Sequence, residues 1–383
     1  MRDSILDGVD KKMAKNRREA TQEELLSLLR ERIDELDEQL LRLVNQRADC
    51  ALEVAEVKLK FAGDHAPVFY RPEREIQVLR NILAKNKGPL SDEKIGGLFR
   101  QIMSACLALE QPLSVAYLGP EATFSQMAAL KHFGHGVNDK PMLTVDDIFK
   151  EVESESADFG VVPVENSTEG VINHTLDNFL DSSLQICGEV SLRVHHHLMV
   201  APGTGEADIA RIYTHQQTLA QCRKWLDAHW ARVPRIAVAS NAEAAKRVVE
   251  ETDSAAIAGE MAAQLYGLDT IASKIEDQVD NTTRFLVIGR EDVKPSGKDK
   301  TSIMVSTRNQ PGALYHLLEP FHRLEISLTA IETRPSRTGM WSYVFFIDFE
   351  GHREDEKIQT VLQEIDQSAL EVKLMGSYPR ALT

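Results

Sequence analysis

Cysteine is scarce in this chain and never paired. Cys50, Cys106, Cys187 and Cys222 are widely spaced and form no CxxC pair, which argues against a disulfide framework and against a zinc site. A reducing, cytoplasmic compartment is therefore expected. Positive charge is also short: 44 Lys and Arg stand against 59 Asp and Glu. The resulting net charge of -15 excludes nucleic acid as the main partner, since phosphate binding needs a basic surface. No apolar run is long enough to span a bilayer, so no membrane partner is expected. Residues 1–20 are polar and basic (Lys11, Lys12, Lys15, Arg17, Arg18) without the apolar centre of a secretion signal, and read as a polar leader. What remains is an acidic metabolic protein whose 383 residues can bury two or three cores.

The stretch 160–170 organises the rest. Val161-Val162-Pro163-Val164 belongs in a buried strand, and it delivers Glu165, Asn166, Ser167 and Thr168 together in a turn closed by Gly170. Taken alone this is as consistent with a well-capped turn as with a polar site at a sheet edge. Other polar clusters along the chain favour the site.

Residues 21–112 carry a helical pattern. Leu29, Ile33, Leu36, Leu40, Leu43, Cys50, Val54 and Val57 recur in steps that predict one long helix. Such a helix is a rod of roughly 60 Å, too long for a compact domain of this size, so pairing with a second copy is expected. The apolar seam is interrupted at Arg47, where an unpaired guanidinium needs an anion or a carboxylate partner. Lys58 lies about 20° around the helix from Arg47, so both cations point the same way, whereas Arg30 lies about 100° off and suits the site of the other protomer. Pro72 opens a second helix bearing Arg74 and Glu75. A third starts near Ser91 and carries Glu110 beside its apolar stripe. One reading is an interaction bundle with solvated arginines; the other is a pocket for a small dianion.

Residues 113–290 alternate strand and helix, with strands predicted at 114–118, 211–214, 236–239, 255–258 and 285–288. After the first strand, Gly119-Pro120 turns into a helix that Thr123 or Ser125 can cap. Polar clusters recur at Thr214 to Gln217 with Gln221 following, at Ser240-Asn241 and at Asn281-Thr282-Thr283-Arg284-Phe285. Polar groups at strand ends converge on clefts in open α/β folds. His195-His196-His197 is not read as a metal site, because alternate strand residues face opposite ways. Residues 291–300 read as a linker, and 301–383 spell βαββαβ, a ferredoxin-like sandwich.

These motifs carry three resemblances. Residues 21–112 resemble the all-helical chorismate mutase domain, on Arg30, Arg47, Lys58, Arg74-Glu75 and Glu110 in order. The resemblance implies that Arg30 of the partner chain and Arg47 hold two carboxylates, Lys58 donates to the ether oxygen, Glu75 binds the ring hydroxyl and Arg74 lines the pocket. Glu110 stands where some members have glutamine, and a carboxyl donates a hydrogen bond only when protonated. Residues 113–290 resemble prephenate dehydratase, on Gly119-Pro120-Glu121-Ala122-Thr123-Phe124-Ser125, Pro163-Val164-Glu165-Asn166-Ser167 and Thr283-Arg284-Phe285. That family has a two-lobed fold like periplasmic binding proteins; the crossings between lobes are expected near 195–199 and 271–276. Thr283 or Glu165 is the implied donor to the departing hydroxide. Thr123, Ser125, Asn166, Ser167, Thr168, Gln221, Arg284 and Phe285 would position prephenate. Residues 301–383 resemble the ACT domain, on Asn309-Gln310-Pro311-Gly312-Ala313-Leu314 and Glu332-Thr333-Arg334, the motifs that bind the effector phenylalanine at an interface of two such domains.

Together they imply a homo-oligomeric enzyme of the bifunctional chorismate mutase/prephenate dehydratase family, needing no cofactor or metal. Two other classes were weighed. An amino-acid-sensing two-lobed binding protein with an inactive dehydratase domain is disfavoured by the intact Thr283-Arg284-Phe285. A helical oligomerisation module fused to a lone dehydratase is disfavoured by Arg47 with Lys58 in phase.

Overall fold

The computed structural model describes residues 21–62, 67–168, 170–307, 310–335 and 343–381. The leader expected at 1–20 lies outside the described residues. The chain divides into two units, Met1–Pro67 and Val68–Thr383.

The first unit is described over one helix, α1 (Gln22–Phe61), of 40 residues. Thr21 and Glu24 close its N-terminus reciprocally: Thr21 N donates to Glu24 Oε2 at 2.8 Å and Glu24 N to Thr21 Oγ1 at 3.4 Å. Glu23 and Glu24 at one end and Lys58 and Lys60 at the other suit the helix dipole. The apolar seam stays in water: Ile33, Leu40 and Leu43 are 55%, 58% and 61% exposed. Fully burying one such side chain stabilises by about 1.5–3 kcal/mol, so any surface that covers this seam adds to the stability of the helix.

The second unit opens with α2 (Pro72–Lys85) and α3 (Asp92–Glu110). Pro72 sits at the first helical position of α2, and Ser91 caps α3 by accepting from Lys94 N. Gln101 Oε1 accepts from His135 N at 3.0 Å, and Ser104 Oγ from Gly136 N at 2.9 Å. These bonds dock α3 on the lobe that follows. By compactness, then, α2 and α3 go with the rest of the chain, although the sequence reading groups them with α1.

The first lobe comprises β1 (Ser114–Leu118), α4 (Phe124–Phe133), β2 (Asn138–Met142), α5 (Val145–Glu153), β3 (Phe159–Asn166), β4 (Gly170–Val171), α6 (Asn173–Asp181) and β5 (Gln185–Arg193). The second comprises β6 (His197–Val200), β7 (Arg211–His215), α7 (Gln216–Gln221), α8 (Arg223–His229), β8 (Arg235–Val238), α9 (Asn241–Glu250), β9 (Ser254–Ala258), α10 (Glu260–Tyr266) and β10 (Asp269–Ser273). The chain then returns, and β11 (Thr282–Gly289) enters the first sheet, whose order is β2-β1-β3-β11-β5 with β4 beside β3; the second sheet runs β10-β6-β9-β7-β8. Residues 194–196 and 274–281 thus make the two crossings, the first a little earlier and the second a little later than the family pattern suggests.

The last domain holds β12 (Asp299–Thr307), α11 (Ala313–Arg323), β13 (Leu328–Pro335), β14 (Tyr343–Glu350), α12 (Glu356–Ser368) and β15 (Glu371–Pro379), in the sheet order β13-β14-β12-β15. That is the expected βαββαβ sandwich. Its sheet shares a core with the first lobe: Met304, Phe346, Met375 and Tyr378 pack with Ile186, Leu286 and Ile288. Gly376 permits this approach. Its φ is 149°, and a Cβ there would lie 2.4 Å from the Ile186 carbonyl oxygen. The expected linker at 291–300 is largely tied down: Ser296 and Gly297 donate their N–H groups to Asp299 Oδ2 at 2.9 and 3.0 Å. Arg80 of α2 donates to the Ser296 and Lys298 carbonyls at 3.1 and 2.9 Å.

His132 on α4 pairs through Nε2 with Tyr70 Oη at 3.2 Å and packs edge-on against Phe133. Burial, helped by the Arg100 charge, lowers its pKa to about 3, so the imidazole is neutral in the native state. The unfolded chain takes up this proton near pH 6.5 and the folded chain only near 3. His132 therefore contributes fully above about pH 6.5, and its contribution falls by up to about 1.4 kcal/mol per pH unit below that. Denaturant unfolding at pH 7 and pH 5 checks this: His132→Gln is expected to narrow the difference between the two pH values, and an unchanged difference refutes the assignment.

Candidate active sites

Antiparallel pairing of β3 with β11 sets Thr283 opposite Asn166 and Arg284 opposite Glu165. Successive strand residues face opposite ways, so Asn166 and Thr283 share one face and Glu165 and Arg284 the other. On the first face Asn166 Nδ2 donates to Thr283 Oγ1 at 2.8 Å and to Asn281 Oδ1 at 3.0 Å. Thr168 donates from its N–H and hydroxyl to Asn166 Oδ1 at 3.0 and 2.5 Å. Gln221, at the end of α7 in the second lobe, donates to Thr168 Oγ1 at 3.3 Å and accepts from Asn281 Nδ2 at 3.2 Å. Its oxygen also meets His196 Nε2 at 2.8 Å. The result is a continuous polar chain across both crossings, from His196 through Gln221, Asn281 and Asn166 to Thr283.

Asn166, Thr283 and Asn281 are 7%, 8% and 1% exposed, so their orientations are fixed by these bonds and not by solvent. Because Thr283 Oγ1 accepts from Asn166, its own proton remains available to a ligand. Thr168, Gln221 and Asn281 form one wall of a cavity of about 420 Å³, large enough for a compact six-membered ring with two carboxylates. Burial holds His196 below the usual imidazole range, against the Gln221 bond that raises it. The neutral ring then donates from Nε2, and among the described residues Nδ1 has no partner.

The remaining predicted dehydratase residues take different places. Thr123 caps α4, accepting from Gln126 N at 3.4 Å while its hydroxyl donates to the Leu118 carbonyl at 3.0 Å. Ser125 is buried in that first turn. Ala122, where the family has glycine, sits at φ 63°, the left-handed region that explains the glycine. Ser167 Oγ accepts from Thr282 N at 3.0 Å and donates to the Asp280 carbonyl at 3.3 Å, fastening the turn to the second crossing.

Phe285 is 1% exposed and packs with Tyr117, Val161, Val190 and Val287 as core. Arg284 faces away from Thr283. Its guanidinium meets Glu189 Oε2 at 3.0 Å, Asp348 Oδ2 at 2.6 Å and Tyr378 Oη at 3.1 Å. Burial by itself would make Arg284 easier to deprotonate, but Tyr378, Asp348 and Glu189 outweigh it and bind the charge firmly. Glu165 lines the small cavity on this second face with Arg284, Asp348 and Glu332. Arg284 and Glu165 thus lie on the face opposite Thr283, and Phe285 lies in the core, so they do not join Thr283 at one cavity as expected.

Of the predicted mutase residues, Arg30, Arg47 and Lys58 lie on α1 in the first unit, and Arg74, Glu75 and Glu110 on α2 and α3 in the second. Arg47 and Lys58 are partly buried and Arg30 is exposed. Arg74 is exposed, and Glu110 ends α3. Glu75 accepts from Arg100 Nε at 3.3 Å beside Tyr70 and His132. Burial raises the Glu75 carboxyl, with Arg100 and Tyr70 opposing. Arg100 had no signal in the helical pattern beyond being a cation on α3.

In the last domain, Gly312 is the left-handed N-cap of α11 at φ 83°, with Ala313 and Leu314 starting the helix. Asn309 lies outside the described residues. Glu332, Thr333 and Arg334 follow one another on β13, so Glu332 and Arg334 share a face and Thr333 has the other. Arg334 holds Asp177 of α6 through both nitrogens, Nε to Oδ1 at 3.0 Å and Nη2 to Oδ2 at 2.8 Å. Burial, then the Glu165 charge, raises the Glu332 carboxyl.

Sequence reasoning missed His196, Asn281 and the hydrogen bond between His195 Nδ1 and Glu276 Oε1 at 2.7 Å. Asn281 lay in a named polar cluster, but the histidines were considered only as metal ligands.

Comparison with known proteins places these features. Family models match residues 29–111 as chorismate mutase type II, 115–293 as prephenate dehydratase and 301–367 as ACT domain. The chain is 61% identical over 358 residues to the bifunctional chorismate mutase/prephenate dehydratase of Pseudomonas aeruginosa, covering 93% of this chain and 98% of that protein. It is 50% identical to the protein of the same description from Neisseria gonorrhoeae, over 94% of this chain and 99% of that one. Among solved structures, a prephenate dehydratase from Arthrobacter aurescens in complex with L-Phe superposes with a TM-score of 0.66 at 32% identity, over 70% of this chain and 90% of that chain. Among the described residues no helix is long and apolar enough to cross a membrane.

Proposed function

This chain belongs to the bifunctional chorismate mutase/prephenate dehydratase family, and on that premise we propose that it rearranges chorismate to prephenate and converts prephenate to phenylpyruvate. The observation that carries the second activity is the Asn166–Thr283 bond at the end of a buried polar chain whose Thr168, Gln221 and Asn281 line the 420 Å³ cavity.

In that reaction the ring carboxylate leaves as carbon dioxide, its bonding pair aromatises the ring, and the ring hydroxyl departs with its own pair and takes up a proton. Thr283 supplies or relays that proton. Asn166, oriented by Thr168 and Asn281, fixes the Thr283 hydroxyl by donating to its oxygen. Gln221 spans from the second lobe, so closure of the lobes completes the site. Thr123, Ser125 and Ser167 hold its turns in shape.

For the first reaction, Arg30 of a partner copy with Arg47, Lys58, Arg74, Glu75 and Glu110 bind the compact conformer of chorismate and stabilise charge as the ether bond breaks. The exposed apolar seam of α1 supports a homodimer at least. Glu110 donates to the ether oxygen only when protonated. Phenylalanine binds the ACT domain around Asn309, Gly312, Ala313, Leu314, Glu332, Thr333 and Arg334, and slows the dehydratase. Free cysteines suit a reducing cytoplasm.

The test is a time course of chorismate, prephenate and phenylpyruvate by NMR, with and without phenylalanine. Prephenate should appear and then convert, the second step slowing when phenylalanine is added. Accumulation of prephenate alone makes the two-lobed domain a sensor; untouched chorismate beside consumed prephenate makes α1 to α3 structural.

A further inference from the structure

Arg284, the cation among the residues expected to position prephenate, is committed to Glu189, Asp348 and Tyr378 on the far face of the sheet. The substrate is a dianion, so its charge needs another partner. The cations lining the 420 Å³ cavity are Arg223 and Lys224, at the start of α8 beside Gln221. The acids there form no direct ion pair with them. Glu276 is taken by His195 Nδ1 at 2.7 Å and His196 N at 3.0 Å, and Asp277 by the backbone N–H groups of Lys224 and Trp225 at 2.9 and 3.1 Å. Arg223 and Lys224 make no ion pair among the described residues, and both side chains are exposed at the cavity.

The two carboxylates of prephenate make opposite demands. The ring carboxylate loses its charge as it becomes carbon dioxide, so a cation holding it would stabilise the ground state more than the transition state and slow the reaction. The pyruvyl carboxylate keeps its charge from substrate through product. We infer, on the dehydratase reading above, that Arg223 and Lys224 hold the retained pyruvyl carboxylate of prephenate at the cavity mouth, leaving the ring carboxylate in the neutral amide and hydroxyl surroundings of Asn166, Asn281 and Thr283. The pair binds substrate, transition state and product alike, and its loss shows in KM and not in kcat.

The experiment uses the full chain with Arg223→Gln and Lys224→Gln combined, and reads kcat and KM for added prephenate and the inhibition constant of phenylpyruvate. Loss of two charge-assisted contacts at an exposed rim is expected to raise KM about tenfold and the phenylpyruvate constant by the same factor, with kcat changed by less than about threefold. Arg223→Lys should keep most of the affinity. Unchanged KM overturns the assignment. So does a raised KM with an unchanged phenylpyruvate constant, because the ring carboxylate would then be the one held. Failure of the unmodified chain to consume prephenate is a different result, and sinks the dehydratase reading itself.

Discussion

Replacing Arg284 by leucine is expected to lower the unfolding free energy of the second unit by about 3–5 kcal/mol, the cost of removing one partner from a buried ion pair. Leucine would strand Asp348 and part of the charge of Glu189, whose side chains are 15% and 5% exposed. Lys300 Nζ, 2.9 Å from Glu189, compensates one of the two acids but makes no ion pair with Asp348 among the described residues; Asp348 also accepts from the Ser302 hydroxyl at 2.6 Å. The effect should depend on pH. Burial alone would raise the Glu189 carboxyl, but Arg284 and then Lys300 hold it below the usual range. A depressed folded-state value means the stabilisation is complete above the unfolded value near pH 4.3 and is lost as pH falls through the folded one. The gap between parent and variant should therefore be widest near neutrality and shrink below about pH 4. Denaturant midpoints at pH 7 and pH 3.5 test both claims, and a gap under about 1 kcal/mol at pH 7 defeats them. Arg284 and Arg334 both tie the ACT sheet to the first lobe, so the variant should also weaken the response of the dehydratase to phenylalanine.

How much of this was legible depended on whether the signal was periodic or tertiary. The step of three and four from Leu29 to Val57 fixes a helix whose 40 residues agree with the structure, because a helical period repeats over many turns and tolerates one Arg47. The βαββαβ order was legible for the same reason. The composition of 291–300 gives no sign that Asp299 accepts from Ser296 N and starts β12. Adjacent letters in Thr283-Arg284-Phe285 suggested one site, but a strand sends neighbours to opposite faces, and only partners distant in sequence, Glu189 and Asp348, reveal where Arg284 goes. His196 was missed because a buried imidazole bonded to Gln221 leaves no spacing rule in the chain.

Thr283→Val keeps the shape of the side chain and removes the hydroxyl, so the fold should survive while the donor to the leaving group disappears. The dehydratase kcat is expected to fall about 10²–10⁴-fold, the usual contribution of one positioned proton donor. The mutase rate on chorismate should stay within about twofold, since the residues proposed for it lie on α1 to α3. Thr283→Ser should recover much of the loss, because serine offers the same oxygen to Asn166 Nδ2. Asn166→Leu should lose nearly as much as Thr283→Val, and the double variant little more than either, because the amide acts through the hydroxyl it orients. That non-additivity separates a shared proton-delivery role from two independent binding contacts, for which the losses would multiply. Single-turnover rates on added prephenate decide it. A Thr283→Val enzyme with kcat within about threefold of the parent would place the donor elsewhere. Glu165 would not be the natural heir, because it opens onto the cavity of Arg284 and Glu332 on the other face of the sheet.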